Sequence, residues 1–282
     1  MGTSASSTGA PSKVPMTPPW VPPPSDDQVD SEEDGGSQDS HEGEVDQATS
    51  SPAPVRIAPR GRFGPARRSL GSFARSGSTA DMRRGVGHYF GKGLGGRSEA
   101  ARRFGGTART AGALYDAFSS ATAGQPFQPD GPLDPIRLAG RSARDIMDAV
   151  VEAIRPVDGT QDAEASRQAV NEGLSDLLER YPDADLLNLQ EEQRLFAIER
   201  FIAQDVYTRL ILDVGQAVQE KAPTVSAALR RMRQIKEYIR ETISARFRAM
   251  RATASALTPR SVAQMATRAL AEAFAVFEDY IQ

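Results

Sequence analysis

NLQEEQRLFAIERFIAQDVYTRLILDVGQAVQE, residues 188–220, decides the fold class. Leu195, Phe196, Ile198, Phe201, Ile202, Val206, Leu210, Ile211, Val214 and Val218 recur at spacings of mostly three or four. That is the period of one face of an α-helix. Asn188 is placed to cap the first turn, and Glu191 completes a capping box with Asn where Ser or Thr is usual. The spacing predicts one helix from Asn188 to about Glu220.

Pro223 and Thr224 then restart the chain. Leu229, Met232, Ile235, Tyr238, Ile239, Ile243, Phe247 and Met250 mark a second long helix over 224–252. Its other faces are basic, with Arg230, Arg231, Arg233, Lys236, Arg240, Arg246, Arg248 and Arg251. Two long amphipathic helices joined by a short turn are expected to pack as an antiparallel hairpin at the centre of a bundle. Thr258-Pro259 opens a last helix with Ala263, Ala266, Leu270, Phe274 and Phe277 inward.

Upstream the same period persists. Ser142–Ile154 places Ile146, Met147, Val150 and Ile154 on one face, and Pro156 and Gly159 end it. Asp162–Tyr181 does so with Val170, Leu174, Leu177, Leu178 and Tyr181, ending at Pro182. Ala108–Ala121 offers Leu114, Tyr115 and Phe118, and the Pro- and Gly-rich 125–135 reads as a loop. No segment reads as a strand. The expected fold is an all-α C-terminal domain over 110–282, a helical bundle with a long hairpin.

Before residue 110 the composition changes twice. Residues 1–55 carry one basic side chain, Lys13, and ten acidic ones. Residues 56–109 carry thirteen Lys/Arg and two acids, Asp81 and Glu99. The overall charge of −3 hides this reversal. The first 55 residues hold a proline-dense stretch, PMTPPWVPPP at 15–24, and an acidic Ser/Gly-rich run at 25–47. Such a segment cannot bury enough apolar surface to offset its ordering entropy, so a long disordered arm is expected. Trp20, the single tryptophan, sits among the prolines. It reads either as a solvated linker aromatic or as an anchor for a partner's groove.

Residues 56–109 alternate Arg with Gly and small residues and space out Phe63, Phe73, Tyr89, Phe90 and Phe104. Thr79–His88 and Ser98–Phe104 read as short, weak local helices rather than an independent domain. RFGPARRSLGSFARSG and RRFGGTARTAGALYD echo each other too imperfectly to form a repeat. The segment suits phosphate contacts with base stacking, Arg83, Arg84, Arg102 and Arg103 being the cations singled out. It equally suits docking on an acidic protein.

Several chemistries are excluded. The chain has no cysteine, hence no disulfide, thiolate catalysis or Cys-based zinc site. Gly91-Lys92-Gly93-Leu94-Gly95-Gly96 contains GxGxxG but lacks the βαβ context of a dinucleotide site. It fails as a P-loop because Gly93 follows Lys92 and Val86 stands where glycine is needed. His41 and His88 lie in the acidic and basic segments without a second ligand nearby. Pairs such as Asp145/Asp148, Asp183/Asp185 and Glu191/Glu192 are explained by helix starts and solvation. No metal, no cofactor and no catalytic residue are expected. No apolar run reaches the length of a membrane span and no secretory leader is visible, so the expectation is a soluble cytoplasmic protein.

Several stretches in order resemble the QatB family, a component of a bacterial anti-phage system. They are Met1-Gly2-Thr3-Ser4 with the following Pro-Met-Thr-Pro-Pro-Trp-Val-Pro, Phe73-Ala-Arg-Ser-Gly77, and Arg83-Arg-Gly-Val-Gly-His-Tyr89. Arg103-Phe-Gly-Gly-Thr107 and Pro156-Val-Asp-Gly-Thr-Gln-Asp-Ala-Glu-Ala165 complete the set. The resemblance implies an operon with an ATPase (QatA), a QueC-like enzyme (QatC) and a TatD-like nuclease (QatD) as partners. It carries over no catalytic residues. It implies that the QueC-like partner attaches a 7-deazaguanine to the amine of Gly2, which follows Met1 and leads a small-residue tail. Met-Gly-Thr-Ser-Ala-Ser also fits a myristoylation pattern, which is idle in a bacterium. The expected function is a non-enzymatic component whose helical domain docks on partners and whose tail is modified at Gly2. The alternative is a nucleic-acid adaptor acting through 56–109.

Overall fold

Short polar side chains set where the helices begin, because the first N–H groups of a helix have no partner inside it. The computed structural model describes residues 59–254 and 256–281. Within them the Ser78 hydroxyl accepts from the Asp81 N–H, Thr160 from Ala163, Thr224 from Ala227 and Thr258 from Ser261. Ser142 and Asp145 cap each other reciprocally, as a capping box requires. The expected disordered arm, Gly2 and Trp20 lie outside the described residues.

The helices are α1 (Gly64–Ser76), α2 (Thr79–His88), α3 (Arg97–Arg103), α4 (Gly105–Thr122), α5 (Pro135–Leu138) and α6 (Ala143–Ile154). There follow α7 (Gln161–Arg180), α8 (Glu191–Val214), α9 (Gln216–Lys221), α10 (Val225–Thr253) and α11 (Pro259–Glu278). A π-helical turn, Tyr89–Gly93, extends α2, and a 3₁₀ turn, Asp279–Ile281, extends α11. No strand occurs among the described residues, so the all-α expectation holds.

α8 is the central element, and α4, α7 and α10 pack around it. Leu195, Ile198, Phe201, Ile202, Val206, Leu210 and Val214 are buried along it. Glu199, Asp205 and Arg209 are buried too, so the helix is enclosed on more than its apolar face. α8 and α10 run antiparallel, since Glu199 near the start of α8 is held by Arg248 near the end of α10. The most extensive neighbour of α8 is nonetheless α7. Gly173 permits that approach: a Cβ there would stand 3.0 Å from the Phe201 nitrogen and 3.2 Å from the Ala197 carbonyl oxygen. Gly112 does the same for α4 against α11, where a Cβ would meet the Pro259 carbonyl oxygen at 2.6 Å.

Three expectations need correction. α8 does not run to Glu220; it stops at Val214 and the chain turns at Gly215 into α9. Its start is capped two residues later, with the Gln193 side chain accepting from the Gln190 N–H at 2.8 Å. Asn188 instead lies in the preceding turn, bonded by its N–H to the Asp185 carbonyl at 2.9 Å.

The largest correction concerns residues 59–109. They are not weak helices beside a body that begins at 110. Phe63, Leu70, Phe73, Tyr89, Phe90 and Phe104 are all buried in the common core. Phe90 stacks on Phe274 and Phe277 of α11 with ring centroids 4.4 Å and 5.1 Å apart, and Phe104 lies 5.3 Å from Phe274. Each buried aromatic removes a large apolar area from water, enough to order short helices that propensity alone would not hold.

Candidate functional site

The four arginines singled out in the sequence meet different fates. Arg83 lies with its guanidinium over the rings of Tyr238 (5.8 Å) and Tyr280 (5.2 Å). Arg84 is exposed and pairs with Asp81 at 3.2 Å. Arg102 pairs with Glu99 one turn back. Arg103 turns inward, 3.8 Å from Asp162 and 3.9 Å from Asp213. The aromatics meant to interleave with them do not reach the surface: Tyr89, Phe90 and Phe104 are fully buried. Base stacking by Phe63, Phe73, Tyr89, Phe90 or Phe104 is therefore corrected, because their faces are spent on the core.

Arg103 belongs to a buried ionic network that fastens α3 and α4 to α7 and α8. Arg209 sits 3.2 Å from both Asp162 and Asp205, and its guanidinium lies over Phe104 at 5.1 Å. The Thr107 hydroxyl donates to Asp205, and the Tyr89 hydroxyl donates to Asp213 at 2.8 Å. Burial opposes the charge on Arg209, but Asp205 and Asp162 more than offset it and hold the guanidinium above its ordinary pKa. Burial, with the Asp213 charge beside it, pushes the Tyr89 phenol well up. Burial also raises the Asp213 carboxyl, against the pull of Arg103 and the Tyr89 hydrogen bond. Breaking a buried, paired and hydrogen-bonded charge is costly, so such a network holds the parts it joins together. His88 sits at the end of α2, its pKa lowered by burial and by Lys92 and Arg84.

A polar cleft lies elsewhere, between the end of α7, the first half of α8 and the last third of α10. It encloses about 370 Å³. Arg180, Arg200, Arg248 and Arg251 line it with Glu192 and Glu199. Tyr181, Phe196 and Phe247 supply aromatic surface. The Arg200 guanidinium lies over the Phe196 ring at 4.6 Å, and Arg180 over Tyr181 at 5.5 Å. Tyr181 and Phe196 meet edge to face at 5.7 Å. The buried Glu199 takes two bonds from Arg248, at 2.7 and 2.8 Å, which fixes that guanidinium in place. Burial, and then the nearby Arg240 charge, lower the Arg200 pKa. Sequence reading noted Arg248 and Arg251 as part of a basic face on α10. It missed Arg180 and Arg200, because their convergence from two other helices leaves no spacing signal. A second, more open polar cavity of about 500 Å³ lies between α6, α7 and α8, lined by Asp148, Glu164, Arg167 and Glu172 among others.

Among the described residues no helix is long and apolar enough to cross a membrane, and no group of three or more His, Asp or Glu is gathered to hold a metal. No curated protein and no solved structure gave a match. A family model does match, that of the Qat anti-phage system associated protein QatB, over residues 95–277. That span opens just before α3 and closes near the end of α11, so it takes in the ionic network's helices and the whole cleft. The chain belongs to the QatB family, and with it to the Qat anti-phage system.

Proposed function

We propose that the protein is a non-enzymatic component of the Qat anti-phage system. Its helical body docks on the other Qat proteins, and its N-terminal tail is a substrate for modification at Gly2. The observation that carries this reading is the family match over most of the helical body. The engagement of the buried acids supports it: Glu199, Asp205 and Asp213 are each bound to arginine, hydroxyl or both, which suits a scaffold better than an acid–base site.

The chemistry at Gly2 is amide formation. Hydrolysis of the Met1–Gly2 peptide bond must first release Met1 and free the Gly2 α-amine. Such a terminal amine has a pKa of roughly 7.7–8.0, so an appreciable neutral fraction exists near neutral pH. That amine attacks a carboxylate activated by the QueC-like partner, and the activating group leaves. A lysine competes poorly because its pKa of about 10.4 keeps it protonated. Intact-mass measurement of protein co-expressed with an active QueC-like partner tests this. The expected result is a deazaguanine adduct on Gly2 that disappears when the partner is inactivated or the terminus is permanently tagged. Unmodified Gly2 in the presence of the active partner would sink the modification, while loss of co-purification with every Qat protein would sink the docking role.

The alternative, a nucleic-acid adaptor acting through 56–109, rests on the exposed charge of residues such as Arg84. It now lacks the stacking rings. Retention on DNA or RNA at low salt, falling steeply as salt rises, would revive it.

A further inference from the structure

We propose that the cleft between α7, α8 and α10 is a binding site for a small phosphate monoester carrying a planar ring, of mononucleotide size. Three observations on the cleft lead there.

The first is charge. Of the four arginines that line the space, Arg248 pairs with Glu199 and Arg200 with Asp176, which leaves Arg180 and Arg251 as the cations without an ion pair among the described residues. A phosphate monoester near neutral pH carries ≈ −1.5 to −2. A single carboxylate would leave one cation unmatched. The second is donor geometry. Arg248 is held rigid by Glu199. Arg200 has a buried Nε–H without an acceptor, and Asp176 stands 3.9 Å away, too far to accept it. Neither Arg180 nor Arg251 forms an ion pair among the described residues. The Arg200 guanidinium is seated over the Phe196 ring at 4.6 Å, and the donors of a guanidinium lie in its own plane, where an oxyanion can accept from them. The third is size and surface. About 370 Å³ falls at the lower end of small-ligand pockets, which run from roughly 300 to 1,000 Å³. Tyr181, Phe196 and the arginines stacked on them provide flat surface for a base-like ring.

The site is independent of the modification of Gly2 and of docking, and its test does not involve either. Calorimetric titration of the full-length protein with the common nucleoside 5′-monophosphates, their parent nucleosides and inorganic phosphate is the experiment. At least one monophosphate is expected to bind saturably and one-to-one in the micromolar to sub-millimolar range. Its nucleoside and inorganic phosphate should each bind at least about tenfold more weakly. Arg200→Gln and Arg251→Gln should each weaken the monophosphate by about tenfold or more. Arg251→Gln guards against misfolding as the cause, because Arg251 has no ion pair to lose and its variant should melt like the parent. The proposal is overturned if no monophosphate binds saturably, or if Arg251→Gln binds as tightly as the parent. It is also overturned if a polyglutamate peptide or a single-stranded oligonucleotide occupies the cleft and no monophosphate competes with it.

Discussion

Residues 59–109 and residues 191–278 reach the same core by different means. The second region consists of long helices whose apolar residues recur at helical spacing, so each helix presents a continuous face. The first region consists of short helices broken by glycine, with arginine on most turns. Its apolar faces are short, Ala66, Leu70, Phe73 and Ala74 on α1 and Met82 and Val86 on α2, and large rings complete them, Phe90 and Phe104 packing on α11. Basic, glycine-rich composition is thus compatible with a packed segment when a few aromatics carry the apolar area.

The comparison breaks most visibly at Phe90. It is fully buried between Tyr89, Phe104 and two rings of α11. Phe90→Ala should cost about 3–5 kcal/mol. Urea denaturation should show one cooperative transition shifted to lower denaturant for the whole chain. A stability change below about 1 kcal/mol would mean that 59–109 is only loosely attached after all. Leu210→Ala, at a fully buried position in the last turns of α8, should cost about 2–5 kcal/mol through transfer loss and cavity. Circular dichroism melts of the two variants side by side would show whether both regions unfold as one unit.

The joint between the regions titrates. Burial holds the Asp213 carboxyl above its ordinary 3.8 in the folded protein. The folded state then binds a proton more readily than the unfolded chain between 3.8 and the raised folded value. Within that window the Asp213 contribution makes stability fall as pH rises, and the cost is complete above it. Asp213→Asn, which can still accept from Tyr89, should remove this slope from a stability–pH curve. A variant whose acid-range slope is unchanged would show that Asp213 ionises in the fold as it does in water. The smallest effect is expected at Arg84→Ala. That side chain is 54% exposed and its partner Asp81 keeps the Ser72 hydroxyl. Melting should place the change within about 0.5 kcal/mol. A larger loss would mean that surface charge, and not only rings, holds 59–109 in place.

Much of the helix map was legible beforehand because it is local. The Ser142, Thr224 and Thr258 starts, the faces of Ile146/Val150 and of Leu270/Phe274/Phe277, and the extent of α2 all follow from residues within one or two turns. The break at Gly215 was not legible, since a single glycine inside a periodic stretch does not announce a turn. The Arg/Gly pattern around Arg83 and Arg103 suggested a solvated binding segment because charge was read along the chain. In space, Arg103 meets Asp162 and Asp213, which are far away in sequence.

The sequence by itself determined that the chain is helical, where most helices start, which faces are apolar, and the family to which those stretches belong. Only the tertiary structure decided that Phe63, Tyr89, Phe90 and Phe104 are core, that Arg103 is a structural ion-pair partner, and that Arg180, Arg200, Arg248 and Arg251 share one cleft. The physical reason is range. Caps and periodicity act over three or four residues, whereas burial and charge pairing depend on which distant helices come to lie side by side.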